Sequence, residues 1–235
     1  MSELYNQTFA DHYSAYRPPL HQIILELILS GNDTFQNGLD IGCGTGYSAV
    51  ALTKYCSHVY GIDPSESMLK QAALNEKITY VKGTGDSLFL QDDTIDIVTF
   101  AGSLFYAKSP ELIQELKRVC KDHCTITVYD FEILFDRIFD LCGIKYNQAI
   151  SGYNHKVNFS DIKEFNEIII RNEQIKIEVT STELAHLLLA DSNIYQVFLD
   201  KYKQHDHFPS LVNELESFAQ THQLDVTIYY SKYQI

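Results

Sequence analysis

The stretch Gly38-Leu39-Asp40-Ile41-Gly42-Cys43-Gly44-Thr45-Gly46 decides the fold of this chain of 235 residues. It begins as a short apolar strand, turns through Gly42, Gly44 and Gly46, and runs into a helical pattern near Tyr47. A strand, a glycine turn and a helix start together form a cofactor site, because glycines let a ligand approach the backbone and the helix offers free N–H groups. The dinucleotide fingerprint G-x-G-x-x-G would place its third glycine at Tyr47, so this spacing disfavours NAD.

Composition and charge limit the classes of function that this sequence can serve. Hydrophobic residues make up 45% of the chain and charged residues 21%, which is enough apolar material for a buried core. The formal net charge is −13, whereas phosphate backbones bind basic surfaces, so we expect no nucleic-acid partner. The chain has 16 tyrosines, 13 phenylalanines and no tryptophan, so any aromatic pocket must be built from tyrosine and phenylalanine.

The five cysteines form no C-x-x-C pair, and neither they nor the histidines show the spacing of a metal site. We therefore expect reduced thiols, no metal and a cytoplasmic location. The residues Met1–Tyr5 do not resemble a secretion signal, and no apolar run is long enough to span a bilayer, so we expect no membrane association.

Strand and helix patterns alternate through the first half of the chain. Apolar runs predict five strands, at 38–41, 58–63, 78–81, 95–100 and 125–129. Helices are predicted after the first, second and fourth of these strands: over about 47–56, from Pro64 to about Asn75 with Ser65 as N-cap, and from Ser109 with Pro110 at the first helical position. This alternation predicts an α/β fold with a doubly wound, mostly parallel sheet, which strands near 174–180 and 224–231 extend to seven.

The sequence of the second half of the chain predicts more helix than that of the first half. Helices are predicted over 132–145, 160–171, 183–204 and 210–220, with a break at His207–Pro209. The whole chain, 1–235, then forms one domain, with a core at about 17–130 plus the last two strands. Segments at about 131–160 and 182–221 are longer than crossovers require, so we expect them to form a helical lid over a substrate.

Motifs after the next strands identify the glycine turn more closely. Strand two ends in Gly61-Ile62-Asp63-Pro64-Ser65, followed by Met68 and Ala72. Together with the glycine turn, this pattern resembles the class I S-adenosylmethionine (SAM) dependent methyltransferases, over roughly residues 13–130. The resemblance implies a Rossmann-like fold, SAM as cofactor and S-adenosylhomocysteine (SAH) as product. Asp63 lies 23 residues beyond Asp40, the spacing of an acid that accepts both ribose hydroxyls; capping of the next helix is the alternative.

Two later segments extend the resemblance. Gly83-Thr84-Gly85-Asp86 matches the family segment that reads the adenine edge, although Phe89 stands where the family usually has proline. Met68 either packs on the adenine ring or belongs to the core of its helix. The stretch Ala101–Tyr106 matches the family segment that lines the methionine arm, but Phe105 replaces a common histidine, so no mechanism that needs this histidine is supported.

The segment Tyr13–Pro18 resembles the Y-x-x-x-R-P motif of trans-aconitate methyltransferase-like enzymes, in which an N-terminal segment folds over the cofactor. This resemblance implies that Arg17 pairs with the methionine carboxylate and that Tyr13 or Tyr16 closes the site. The alternative, a structural arginine near a helix start, stays open.

The resulting prediction assigns these residues to the cofactor: Tyr13, Arg17, Asp40, Gly42, Cys43, Gly44, Gly46, Asp63, Pro64, Met68, Thr84, Gly85, Asp86, Ala101 and Gly102. The catalytic residue is unknown; His12, which otherwise reads as a surface histidine, and Tyr106 are weak candidates. The predicted activity is methyl transfer from SAM to an oxygen or nitrogen atom of a small molecule. Two alternatives remain: a SAM- or SAH-binding protein without transferase activity, and a protein or tRNA methyltransferase. A homodimer is compatible with the sequence.

Overall fold

The computed structural model describes residue 12 and residues 15–146, 152–202 and 207–235. Within these residues, seven strands form one mixed sheet in the order β3-β2-β1-β4-β5-β7-β6. The strands are β1 Phe35–Ile41, β2 Cys56–Asp63, β3 Ile78–Lys82, β4 Ile95–Ala101, β5 Cys120–Leu134, β6 Asn166–Thr180 and β7 Thr221–Gln234. The helices are α1 Leu20–Ile28, α2 Tyr47–Leu52, α3 Glu66–Leu69, α4 Leu104–Ala107, α5 Pro110–Val119, α6 Asp136–Leu141, α7 Ser181–Leu189, α8 Ser192–Tyr202 and α9 His207–Phe218.

The first five strands pair in parallel, and this pairing positions the site. β1 lies between β2 and β4, with Asp40 opposite both Gly61 and Thr99. The strand order reverses at this point, because the chain runs outward from β1 to β3 and then returns to β4 on the other side. In parallel sheets such a reversal opens a crevice at the carboxyl ends of the strands, where ligands bind. The predicted Rossmann-like sheet of seven strands is therefore confirmed.

Local chemistry explains the elements around this crevice. Ser109 caps α5, since its side chain accepts a hydrogen bond from the N–H of Leu112, and Pro110 occupies the first turn, where its missing N–H costs nothing. Leu112 and Leu116 on this helix are fully buried. They belong to the same hydrophobic cluster as the inward-facing residues of the strands, which anchors the helix against the sheet.

The chain forms two compact units. One comprises Met1–Pro18, Glu132–Ser151 and Gln174–Thr227; the other comprises Pro19–Phe131, Gly152–Glu173 and Ile228–Ile235. We call the second of these the sheet unit, because β1 to β4 lie wholly within it.

Several predicted elements differ from the observed ones. The helix predicted over 160–171 is wrong: β6 begins at Asn166, and its β-branched Ile168–Ile170 run favours a strand. β5 continues to Leu134, so only Asp136–Leu141 of the predicted helix at 132–145 is helical. The predicted break at His207–Pro209 is instead the start of α9, where proline is tolerated in the first turn.

Two predicted helices near the glycine turn are shorter than expected. α2 ends at Leu52, and the helix predicted to reach Asn75 ends at Leu69, although Ser65 caps it as predicted. The role of the later helices as a lid stays a prediction. In the part of the chain that the structure describes, no helix combines the length and the apolar character that a bilayer crossing requires.

Candidate cofactor site

A pocket of about 360 Å³ lies within the sheet unit, at the carboxyl ends of β1, β2, β3 and β4. Its lining residues are Ile41, Gly42, Asp63, Pro64, Gly83, Thr84, Gly85, Asp86, Gly102, Ser103, Tyr106 and Ala107. The volume lies within the range of small-molecule and cofactor pockets. The structure thus brings together residues from four separate strand ends, most of which the sequence motifs had already selected.

The glycine turn requires glycine at two positions in particular. Gly42 has φ +74°, and a Cβ there would lie 2.4 Å from the Cβ of Ser103. Gly46 has φ +84°, and its Cβ would lie 2.1 Å from the hydroxyl oxygen of Tyr80. Both a left-handed backbone and the lack of space therefore exclude any side chain. The N–H groups of Gly42 and Cys43 donate to the carbonyl of Ile62, which ties the turn to β2.

Asp63 connects the glycine turn to the end of β2. Its Oδ2 accepts a hydrogen bond from the N–H of Gly44 at 2.8 Å, and its Oδ1 accepts one from the N–H of Ser65, also at 2.8 Å. The residue is 8% exposed, yet it lines the pocket. Each carboxylate oxygen can accept more than one hydrogen bond, so capacity for two ligand hydroxyls remains. The backbone contacts fix the orientation in which the carboxylate would meet them.

Asp40 carries an unsatisfied oxygen beside the pocket. Its side chain is fully buried, and the hydroxyl of Ser48 donates to Oδ2 at 2.5 Å, whereas Oδ1 has no hydrogen-bond partner among the described residues. Burial raises the pKa of this carboxyl to about 7; the Ser48 hydrogen bond opposes the rise and the charge of Asp63 adds to it. Buried polar atoms are nearly always paired, so this oxygen calls for a donor that the described residues do not supply. The ammonium group of SAM is such a donor, and the residues therefore fit this cofactor.

The end of β4 closes the pocket on the opposite side. Gly102 has φ +70°, and its N–H donates to the carbonyl of Tyr129 at 2.8 Å. The hydroxyl of Ser103 donates to the carbonyl of Ile41 at 2.5 Å, which joins the ends of β1 and β4 across the crevice. Asp86 accepts a hydrogen bond from the Ser109 hydroxyl at the start of α5. The position of Ser103 within the Ala101–Tyr106 motif does not indicate this structural role. Only its hydrogen bond to the end of β1 does.

Some predicted cofactor residues support the pocket without lining it. Cys43 is buried. Burial raises the pKa of its thiol, and the negative charges of the nearby Asp40 and Asp63 add to this rise. Gly44 and Gly46 shape the turn, and Ala101 ends β4. Met68 is 45% exposed on α3 and is not among the lining residues. Packing of Met68 on the adenine ring therefore stays a prediction without a contact behind it.

The N-terminal candidates belong to the other unit. His12 is 8% exposed, so the expectation of a surface histidine is wrong. Its Nδ1 lies 2.9 Å from Nδ1 of His186, whose pKa is lowered by burial, and its ring packs against Phe208 with a centroid distance of 5.1 Å. Arg17 also lies in this unit, and Tyr13 falls outside the described residues. The predicted roles of these three residues at the cofactor stay predictions.

The described residues contain no group of three or more histidine, cysteine or acidic side chains arranged to hold a metal ion.

Residues 39–128 match the model of a family described as methyltransferase domain. A Dictyostelium discoideum protein with the provisional description of methyltransferase is 24% identical, over 52% of this chain and 47% of its own length. A Saccharomyces cerevisiae protein described as a probable S-adenosylmethionine-dependent methyltransferase is 28% identical, over 50% of this chain and 44% of its own length. The chain therefore matches only about half of the length of these curated relatives.

One solved structure resembles the chain over nearly its full length. It comes from Anaeromyxobacter dehalogenans and carries the provisional description of type II methyltransferase. The match covers 93% of this chain and 97% of the other chain. The TM-score is 0.61 at 17% sequence identity, so the likeness concerns the fold. Strand order and pocket position define a Rossmann-like cofactor-binding protein. The family match over residues 39–128 supports a class I SAM-dependent methyltransferase domain in this part of the chain. The narrower resemblance to the trans-aconitate branch stays a prediction.

Proposed function

We propose that this protein binds SAM in the pocket of the sheet unit and transfers its methyl group to an oxygen or nitrogen atom of a small molecule. The unsatisfied, fully buried Oδ1 of Asp40 carries the proposal, since it lies one residue before the lining residue Ile41 and requires a hydrogen-bond donor. Asp63 supports it from the neighbouring strand, where an acid would receive the ribose hydroxyls.

The bound cofactor supplies a methyl group already activated by a positively charged sulfur. The contribution of the chain is position: the glycine turn and Asp63 hold one end of the ligand, and Gly102 with Ser103 forms the opposite wall. Thr84, Gly85 and Asp86 lie where the adenine edge would be read. Holding the acceptor atom in line with the bond between sulfur and the methyl carbon removes the need for an oriented encounter in solution. Such positioning accounts for a large part of the rate enhancement in reactions of this kind.

A small-molecule acceptor is favoured over nucleic acid by the lining of the pocket and by the overall charge. None of the lining residues that the structure describes is lysine or arginine, and the chain carries a formal net charge of −13. A tRNA acceptor would need a basic surface beside the pocket to hold the phosphate backbone.

Calorimetry with SAM and with SAH tests cofactor binding directly. We expect dissociation constants in the low micromolar range or tighter. Asp122, an exposed acid on β5, offers a matched control: Asp63→Ala should weaken binding, whereas Asp122→Ala should not. No heat with either ligand, from protein that is folded by circular dichroism, would contradict the proposal.

The second candidate, a SAM- or SAH-binding protein without transfer activity, is favoured by one observation. Within the described part of the chain, no histidine lines the pocket, and Phe105 occupies the position where the family often has one. Transfer of isotope-labelled methyl from SAM to a broad acceptor panel distinguishes the two candidates: binding without turnover supports the second.

A further inference from the structure

A cluster of aromatic rings adjoins the wall of the cofactor pocket within the sheet unit. We call Phe105, Tyr106 and Tyr153 the aromatic cluster. Its ring centroids lie 4.8 Å apart for Phe105 and Tyr153, 5.1 Å for Phe105 and Tyr106, and 5.5 Å for Tyr106 and Tyr153. Tyr106 itself lines the pocket, and the hydroxyl oxygen of Tyr153 lies 2.8 Å from the carbonyl oxygen of the lining residue Gly102.

Two side chains of the aromatic cluster are more exposed to solvent than adjacent aromatic side chains usually are in a folded protein. Tyr106 is 77% exposed and Phe105 is 39% exposed. A contiguous exposed aromatic surface indicates a binding site, and this one lies at the mouth of a pocket that the proposed function assigns to the cofactor. A ligand seated on these rings would therefore lie beside whatever the pocket holds.

A carboxylate lies behind the rings. Oδ1 of Asp130 would lie 3.4 Å from a Cβ placed on Gly102, so the carboxylate directly backs the pocket wall. Three groups hold it: the N–H of Phe131 at 2.8 Å, the hydroxyl of Tyr153 at 2.6 Å and Nδ1 of His155 at 2.9 Å. The first two donors carry no charge, so they orient the carboxylate without cancelling its charge.

Aromatic faces next to a fixed carboxylate attract cations. The negative face of an aromatic ring draws a cation to within about 6 Å of its centroid, and a buried carboxylate strengthens the attraction. A carboxylate ligand would instead be repelled by Asp130, and Lys108, close to the cluster in sequence, is engaged by Asp161 and by the carbonyl of Asn158. The acidic chain, with its net charge of −13, also favours cationic partners at long range.

We propose that the aromatic cluster, backed by Asp130, is the acceptor site and that it takes an amine in its cationic form. This inference rests on the proposed function and names the acceptor class for that same pocket. In the transfer, the ammonium gives one proton to the Asp130–His155 pair. The nitrogen lone pair then forms the bond to the methyl carbon, and the electron pair of the broken carbon–sulfur bond stays on sulfur.

Calorimetry on the full chain saturated with SAH tests the site with two probes of equal shape. One is choline; the other is its neutral carbon analogue, in which a tert-butyl group replaces the trimethylammonium group. We expect choline to bind about tenfold more tightly than the neutral analogue, because only the cation interacts with the ring faces and with Asp130. Equal affinities, or no heat from choline at millimolar concentrations, would overturn the inference.

Variants of Tyr106 separate a cation site from a merely apolar surface. Tyr106→Leu should weaken choline binding about fivefold while leaving the neutral analogue nearly unchanged, and Tyr106→Phe should retain choline binding because the ring is kept. Since Tyr106 is on the surface, neither change is expected to unfold the protein. A fivefold loss of both probes with Tyr106→Leu would mean that the ring acts only through apolar contact and would contradict the proposal.

The charge is tested in the same way. Asp130→Asn should remove most of the preference for choline, whereas Asp122→Asn, the same change at an exposed position of β5, should leave it intact. An unchanged preference in Asp130→Asn would refute the role of the carboxylate. The failure of SAH to bind would instead refute the proposed function, so the two failures are distinguishable.

Discussion

Replacing Asp40 with asparagine should stabilise the folded protein at high pH and weaken cofactor binding at the same time. The Asp40 side chain is fully buried, and burial raises the pKa of its carboxyl from 3.8 to about 7. The folded state therefore favours the protonated form. The stability that this group contributes is complete below about pH 4, falls as the pH rises, and is lost above about pH 7.

The magnitude follows from the difference between the two pKa values. At about 1.4 kcal/mol for each pKa unit, a rise from 3.8 to about 7 corresponds to about 4 kcal/mol in total. Between about pH 5.5 and about pH 8.5, the free energy of unfolding of Asp40→Asn should rise relative to that of the natural chain by about 2 kcal/mol. The asparagine carbonyl can still accept the hydrogen bond from Ser48, while an amide NH2 replaces the unpaired Oδ1, so the change removes the charge and turns that acceptor into a donor.

The assay is urea unfolding followed by circular dichroism, since the chain has no tryptophan. The exposed Asp122→Asn variant serves as the control and should show no such pH-dependent difference. In parallel, calorimetry at about pH 8 should show SAH binding weakened by about 1.5–3 kcal/mol, the value of a hydrogen bond to a charged group. A stability difference that does not change with pH would refute the burial argument, and an unchanged SAH affinity would refute the proposed contact with the ligand ammonium.

Two further predictions concern the glycine turn and the carboxylate that it contacts. Gly44→Ala should destabilise by about 1–2 kcal/mol, because alanine is strained at φ +52° but meets nothing within 4 Å. Gly46→Ala should cost about 2–5 kcal/mol, because its Cβ would also collide with Tyr80, and equal losses for the two variants in urea unfolding would contradict the geometry. Asp63→Ala should weaken SAH binding by about 1.5–3 kcal/mol in calorimetry and should destabilise the turn, since the N–H groups of Gly44 and Ser65 lose their acceptor. Unchanged SAH affinity would remove Asp63 from the cofactor site.

Much of the sheet unit could be predicted because its signals are local. Glycine spacing, apolar runs and the Ser109–Pro110 helix start each act over a few residues, and from Leu20 to Val119 the observed elements follow them in type and order, although two helices end early. The second half was predicted less well. The Ile168–Ile170 run favours a strand in the first part of β6, but the charged and polar residues around it resemble a polar helix in the sequence. Pairing at the sheet edge then completes the strand.

The sequence by itself predicted the parallel strands around the glycine turn, SAM as the cofactor and the residues at four strand ends, because each of these predictions depends on short motifs. Only the tertiary structure revealed that one oxygen of Asp40 has no partner among the residues described, and that Ser103 joins β4 to β1. It also brought Asp130 together with Tyr153, which lies 23 residues away along the chain. Burial and hydrogen bonding between distant residues depend on how the elements pack, and no local pattern records that packing.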